Sequence, residues 1–180
     1  MRGNRNHLKE TQRLAVLTMP AKPEHLGAVR ALLTAARLPL DGLEDHFPTG
    51  YVVAIRKGEF VGAAGVEIHG RDGLLRSLVV DAPHRGSGLG HTLTFDRILL
   101  AKEQGVDALW LLTTTAAPFF ARLGFVTVER ASVPPALQAS REFATACPSS
   151  ATCMWLDLAS VPTGVAFHAW AAGRLPRSLA

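Results

Sequence analysis

The chain has 180 residues, 48% of them hydrophobic and 19% charged, with a formal net charge of +4. That balance excludes a disordered polymer and gives enough apolar material for one domain with its own core. Arg2, Arg5, Lys9, Arg13, Arg174 and Arg177 lie toward the two ends, and 14 of the 15 acidic residues lie between them. The body of the chain is therefore near neutral, and no nucleic-acid partner is expected.

In chain order, residues 1–12 read as a flexible tail and Leu14–Leu17 as a first strand. Pro23 suits a first helical turn. Leu26, Val29 and Leu33 then recur with helical spacing and predict an amphipathic helix through about Arg37, stopped by Pro39. Asp41–Phe47 suggests a short helix or loop. Tyr51–Ile55 and Phe60–Ile68 predict strands joined at Lys57-Gly58, and His69–Gly73 turns the chain into a third strand, Leu74–Val80. A helix from about Gly88 to Gln104 and a strand Ala108–Leu112 follow. A strand, helix and strand of this length predict a parallel crossover. Ala116–Leu123 reads as a short helix ended by Gly124, and Phe125–Val128 as a strand. Pro134-Pro135 opens a helix carrying Leu137, Ser140, Arg141 and Phe143, and Met154–Leu158 closes the sheet. The resulting fold class is α/β: a mixed sheet, antiparallel first and parallel at one pair, flanked by helices. Residues 13–158 form the domain and 159–180 a second tail. No run reaches the ~20 apolar residues of a membrane span, and Met1–Glu10 lacks a signal core. A cytoplasmic protein without membrane contact is expected, and the sequence permits a homodimer.

The densest chemical signal is Arg85-Gly86-Ser87-Gly88-Leu89-Gly90, set between a predicted strand and a predicted helix. Glycines at alternate positions allow a tight turn and close approach of a ligand. A helix start adds unpaired N–H groups and the positive end of its dipole, and Arg85 adds charge, so the segment suits a phosphate. A dinucleotide fingerprint would need glycine where His91 stands, and a Walker loop would need Gly-Lys-Ser/Thr.

The Arg-x-x-Gly-x-Gly pattern resembles the acetyl-CoA loop of the GNAT N-acetyltransferases. Val80–Gly86 resembles that family's approach to the loop, and Ala117–Phe125 resembles its A-x-x-F-Y-x-x-x-G-F segment. Leu74–Val80, Leu111–Ala116 and Cys147–Met154 resemble one subgroup, the arsenic-resistance N-acetyltransferases. The resemblance implies a GNAT fold whose two parallel strands splay apart around acetyl-CoA, with no metal cofactor. It implies that the backbones of Leu78, Val79 and Val80 pair with the pantetheine arm and that Arg85, Gly86, Ser87, Gly88, Leu89 and Gly90 hold the pyrophosphate. Phe119 and Phe120 would pack around that arm. The backbone N–H near Leu78 would stabilise the oxyanion.

The acceptor implied is a small amine, in one reading an amino-acid-like organoarsenical or related toxin. Glu67 is the candidate general base or water positioner. The family's tyrosine acid falls at Phe120, which has no hydroxyl, so Ser77, Thr113, Thr115 or water must serve. Arg76 could grip an anionic acceptor, and Glu44 and His46 lie in the loop that borders the acceptor. Two other readings stand beside this one. The chain could be an acyl-CoA-binding regulator without turnover, or an arsenite-binding protein using Cys147 and Cys153, since thiolates favour soft ions.

Overall fold

The computed structural model describes residues 16–146 and 148–162. Its centre is a seven-stranded mixed sheet: β1 (Leu17–Pro20), β2 (Tyr51–Arg56), β3 (Glu59–His69), β4 (Asp72–Val80), β5 (Ala108–Thr113), β6 (Val126–Thr127) and β7 (Thr152–Asp157). The spatial order is β1-β2-β3-β4-β5-β7-β6. All pairings are antiparallel except β4 with β5. The helices are α1 (Leu26–Ala35), α2 (Leu43–His46), α3 (Leu89–Glu103), α4 (Ala117–Arg122) and α5 (Pro135–Gln138).

Strand alternation explains how both faces of the sheet are buried. Tyr51, Val53 and Ala63 pack with Val29 and Leu33 of α1. Val52, Ala54 and Ala64 point the other way and pack with Leu89 and Leu93 of α3. In the second half, Leu109 and Leu111 join Ile98, Phe120 and Phe125. Trp110 faces Leu137 and Phe143 on the opposite side.

Four expectations shift. The first strand begins at Leu17 rather than ending there, and residues 14 and 15 lie outside the described residues. The helix predicted to run through Arg37 stops at Ala35, because Arg37 itself adopts a left-handed φ of 55°. Met154–Leu158 does not close the sheet: β7 inserts between β5 and β6, which leaves β6 at the edge. The helix opened by Pro134-Pro135 is broken as well, into α5 and a π-helical turn over Glu142–Ala146. The predicted tails, 1–12 and most of 159–180, lie outside the described residues. Among those described, no helix is long and apolar enough to cross a membrane.

Candidate functional site

The two parallel strands share only three register pairs, Asp72 with Ala108, Gly73 with Leu109 and Leu74 with Trp110. Beyond Leu74 and Trp110 they part. The gap is a cleft of about 590 Å³, walled by Leu75–Val80 on one side and Leu111–Ala116 on the other. A bulge in β4 lies inside it. Ala63 pairs with Val79 and Gly65 with Arg76, so Ser77 and Leu78 together face Ala64. Ser77 takes a φ of 55°. A bulge of this kind interrupts the ladder and re-aims the strand at that point. Strict alternation could not foresee it.

At the mouth of the cleft, β4 leads through Asp81, which accepts the Ala82 N–H at 2.9 Å, into the glycine loop. Arg85 lines the cleft and is held by its Nε, which donates to the Val80 carbonyl at 3.0 Å. Gly86 and Gly88 have φ of 75° and 86°, and Gly88 is the N-cap of α3. The 15-residue α3 starts at Leu89 and aims its first N–H groups at the loop. Ser87 is exposed, and its Oγ donates to the His84 carbonyl at 2.7 Å. Leu89 points its side chain into the core. Gly90 lies against Phe119, whose Cζ would be 3.4 Å from a Cβ there. Phe120 lines the cleft, whereas Phe119 packs on His91 with ring centroids 5.0 Å apart.

One wall of the cleft is a buried polar cluster. Arg76 is 4% exposed and Glu67 2%. The Arg76 guanidinium donates to Glu67 and to the Asp41 carbonyl, lies 2.9 Å from Glu142 Oε2, and reaches Ser77 Oγ at 3.3 Å. Burial works against its charge, but Glu142, Tyr51 and Glu67 outweigh that and hold the guanidinium above its usual value. Tyr51 Oη and Ser77 Oγ are 3.1 Å apart, and burial pushes the Tyr51 phenol up, so it stays neutral. The second oxygen of Glu67 faces His46 Nε2 at 3.4 Å and His69 Nε2 at 3.3 Å.

The sequence-predicted residues therefore separate into groups. Ser77, Leu78, Val79, Val80, Arg85, Thr113, Phe120 and Arg76 line the cleft. Thr113 Oγ1 accepts the Ala116 N–H at 3.0 Å, which leaves its own proton to donate. Glu67 and His46 meet behind Arg76, where they line a second pocket of about 190 Å³. Glu44 stands apart from both, exposed and paired with Arg30. The notable addition is Glu142, a buried carboxylate that lines the cleft. Its only sequence signal was that it is the one acid between Pro134 and Phe143. Arg37 also lines the cleft, carried there by its left-handed turn after α1. Cys153 is buried, and burial raises its thiol further than Arg130 lowers it. Cys147 lies outside the described residues.

A mixed seven-stranded sheet, splayed at its one parallel pair and bulged beside the gap, decides the architecture. The chain has the GNAT acetyltransferase fold. Residues 48–127 match the model of the acetyltransferase (GNAT) domain. Among solved structures, N-acetylglutamate synthase from Neisseria gonorrhoeae, complexed with coenzyme A and N-acetyl-glutamate, superposes with a TM-score of 0.69 at 20% identity. The match covers 80% of this chain and 35% of that one, so the chain spans about a third of that enzyme's length. A GNAT-family acetyltransferase from Staphylococcus aureus Mu50 matches with a TM-score of 0.67 at 17% identity, over 80% of this chain and 99% of that one. The ribosomal-protein-S18-alanine N-acetyltransferase from Escherichia coli matches with a TM-score of 0.61 at 19% identity, over 80% and 94%. No curated protein matches the sequence.

Proposed function

We propose that this chain is an acetyl-CoA-dependent N-acetyltransferase acting on the primary amine of a small molecule. The observation that carries the reading is the cleft between β4 and β5, open from Leu75 and Leu111 onward and ending at a glycine loop on a helix start. A pantetheine arm in that gap would add to the edge of β4 as an extra strand. The pyrophosphate would meet the N–H groups from Gly86 to Gly90 together with Arg85. Coenzyme A complexes of a neighbour with this fold support the assignment.

The chemistry follows from the wall residues. The acceptor ammonium first loses a proton, and Glu142, the carboxylate that lines the cleft, takes it directly or through water. Glu67 acts as a positioning residue behind it by fixing Arg76. The free amine attacks the thioester carbon, and the oxyanion is met by the backbone N–H of Leu78. As the C–S bond breaks, the nitrogen gives up its second proton, which Thr113, Thr115 or water relays to the thiolate, since Phe120 cannot. Arg76 is committed to Glu67 and Glu142, so Arg37 makes the contact with an anionic acceptor. This suits an amino-acid-like acceptor, the organoarsenical implied by the sequence resemblance among them.

The test follows CoA release with a thiol reagent over a panel of amines that includes amino acids and their phosphinate and arsenical analogues. Acetyl-CoA binding is measured in parallel by calorimetry. Turnover on one amine class supports the proposal. Tight binding without turnover favours the regulator, and no binding overturns the cofactor site.

A further inference from the structure

The second pocket brings two histidines onto Glu67, on the side away from Arg76. His46 from α2 and Glu67 and His69 from β3 converge, and their ligand atoms all lie within 4.8 Å of one another. Both imidazoles present Nε2 to the same oxygen, Glu67 Oε2, at 3.4 and 3.3 Å. The His69 contact is a long hydrogen bond, and both separations match the spacing of co-ligands of one ion: metal–ligand bonds of about 2.0–2.2 Å in a tetrahedron put neighbouring donors about 3.3–3.6 Å apart. We propose that His46, Glu67 and His69 bind a divalent transition-metal ion of the zinc class.

Three further observations carry the proposal. First, the donor set of two imidazoles and one carboxylate suits such ions. Second, the carboxylate is already oriented: its other oxygen, Oε1, accepts from Arg76, the kind of outer contact that fixes a metal ligand. Third, the two imidazoles come from different elements, His46 from α2 and His69 from β3, and both turn Nε2 onto a carboxylate that is 2% exposed. The pocket beside the three donors, about 190 Å³ and lined also by Asp45, Ser140 and Arg141, has room for a water as the fourth ligand. An ion there would pin α2 to β3 behind the Arg76 wall, and so stiffen the segment that borders the cleft.

The test uses the full chain without an affinity tag, with Cys147→Ser and Cys153→Ser so that no thiolate competes. Cobalt(II) is added and its visible d–d bands are followed, and zinc is then titrated in competition with a chromophoric chelator. One equivalent per chain is expected, with bands of nitrogen and oxygen ligation displaced by zinc. His46→Gln and His69→Gln should each weaken zinc binding at least about tenfold, since even an outer contact to a metal ligand is worth about 10–100-fold. His25→Gln, remote from the cluster, should leave it unchanged. Absence of cobalt bands overturns the proposal, as does zinc affinity unaltered in both His variants. Should either variant lose its folded near-UV spectrum, the cobalt spectrum of the His-intact chain decides alone. Coenzyme A binding is not part of this readout, so its failure leaves the metal result standing.

Discussion

At the scale of single residues, the Arg76 cluster is the point where stability and function meet. Arg76 sits at 1% side-chain exposure between Glu67 and Glu142. Removing one member of a buried ion network leaves uncompensated charge and costs about 3–5 kcal/mol. Arg76→Ala should therefore lower the unfolding free energy measured in urea by that order, and Arg76→Lys should recover part of the loss, because it keeps the charge without the fork. A loss below about 1 kcal/mol, as at exposed pairs, would mean that both carboxylates reach water. Arg37 gives a separate kinetic prediction. Arg37→Ala should raise KM for an anionic acceptor more than for a neutral amine of the same size; equal effects would remove it from acceptor recognition. Cys153 bears on the arsenite reading. Burial raises its thiol in the folded chain. The stability linked to that shift is present below the ordinary thiol range and is lost as pH rises through the folded value. Cys153 should then react with a disulfide reagent far more slowly in the folded chain than in urea. Equal rates would reopen it as a soft ligand.

At the scale of elements, the glycine loop and α3 make the next prediction. Gly88 caps α3 at φ 86°, a region where a β-branched residue is a genuine outlier. Gly88→Val should lose about 1–3 kcal/mol of stability through that strain and should greatly weaken coenzyme A binding by calorimetry. Wild-type affinity would mean that the pyrophosphate lies elsewhere. This loop was legible in the sequence because its cause is local: alternate glycines, a basic residue and a helix start lie within six positions. The hairpin at Lys57-Gly58 and the periodic α1 were legible for the same reason. What strand alternation could not supply was the bulge at Ser77 and Leu78, which depends on how β3 and β4 register rather than on either strand alone. The insertion of β7 between β5 and β6 was hidden likewise, since short apolar strands carry no address. Glu142 was hidden most deeply. Its partner Arg76 lies in another element, and nothing near Glu142 in the chain marks it as a cleft residue.

At the scale of the whole molecule, the sheet is two halves whose backbones meet at a short seam. β4 contacts β5 through three register pairs, whereas β3 and β4 share seven and β5 and β7 six. Side chains still bridge the seam on one face, where Val66 and Leu75 share a cluster with Leu109, Leu111, Phe120 and Phe125, while Val53 and Ala63 pack under α1. The backbone groups that edge the seam, 75–80 and 111–115, border an open cleft instead of each other. Amides in such a place open with low local free energy. A ligand that binds only the folded state stabilises it by about 2.7 kcal/mol at a hundredfold excess over Kd, and a pantetheine arm laid along β4 would deliver that protection at the seam. Saturating coenzyme A should therefore slow hydrogen exchange in peptides spanning 75–80, 85–91 and 111–115, while amides of β2, remote from the cleft, change little. Uniform slowing across the sheet would argue for stabilisation without a seam site. Protection confined to the region around His46 and His69 would move the ligand to the second pocket and detach the cleft from cofactor binding altogether.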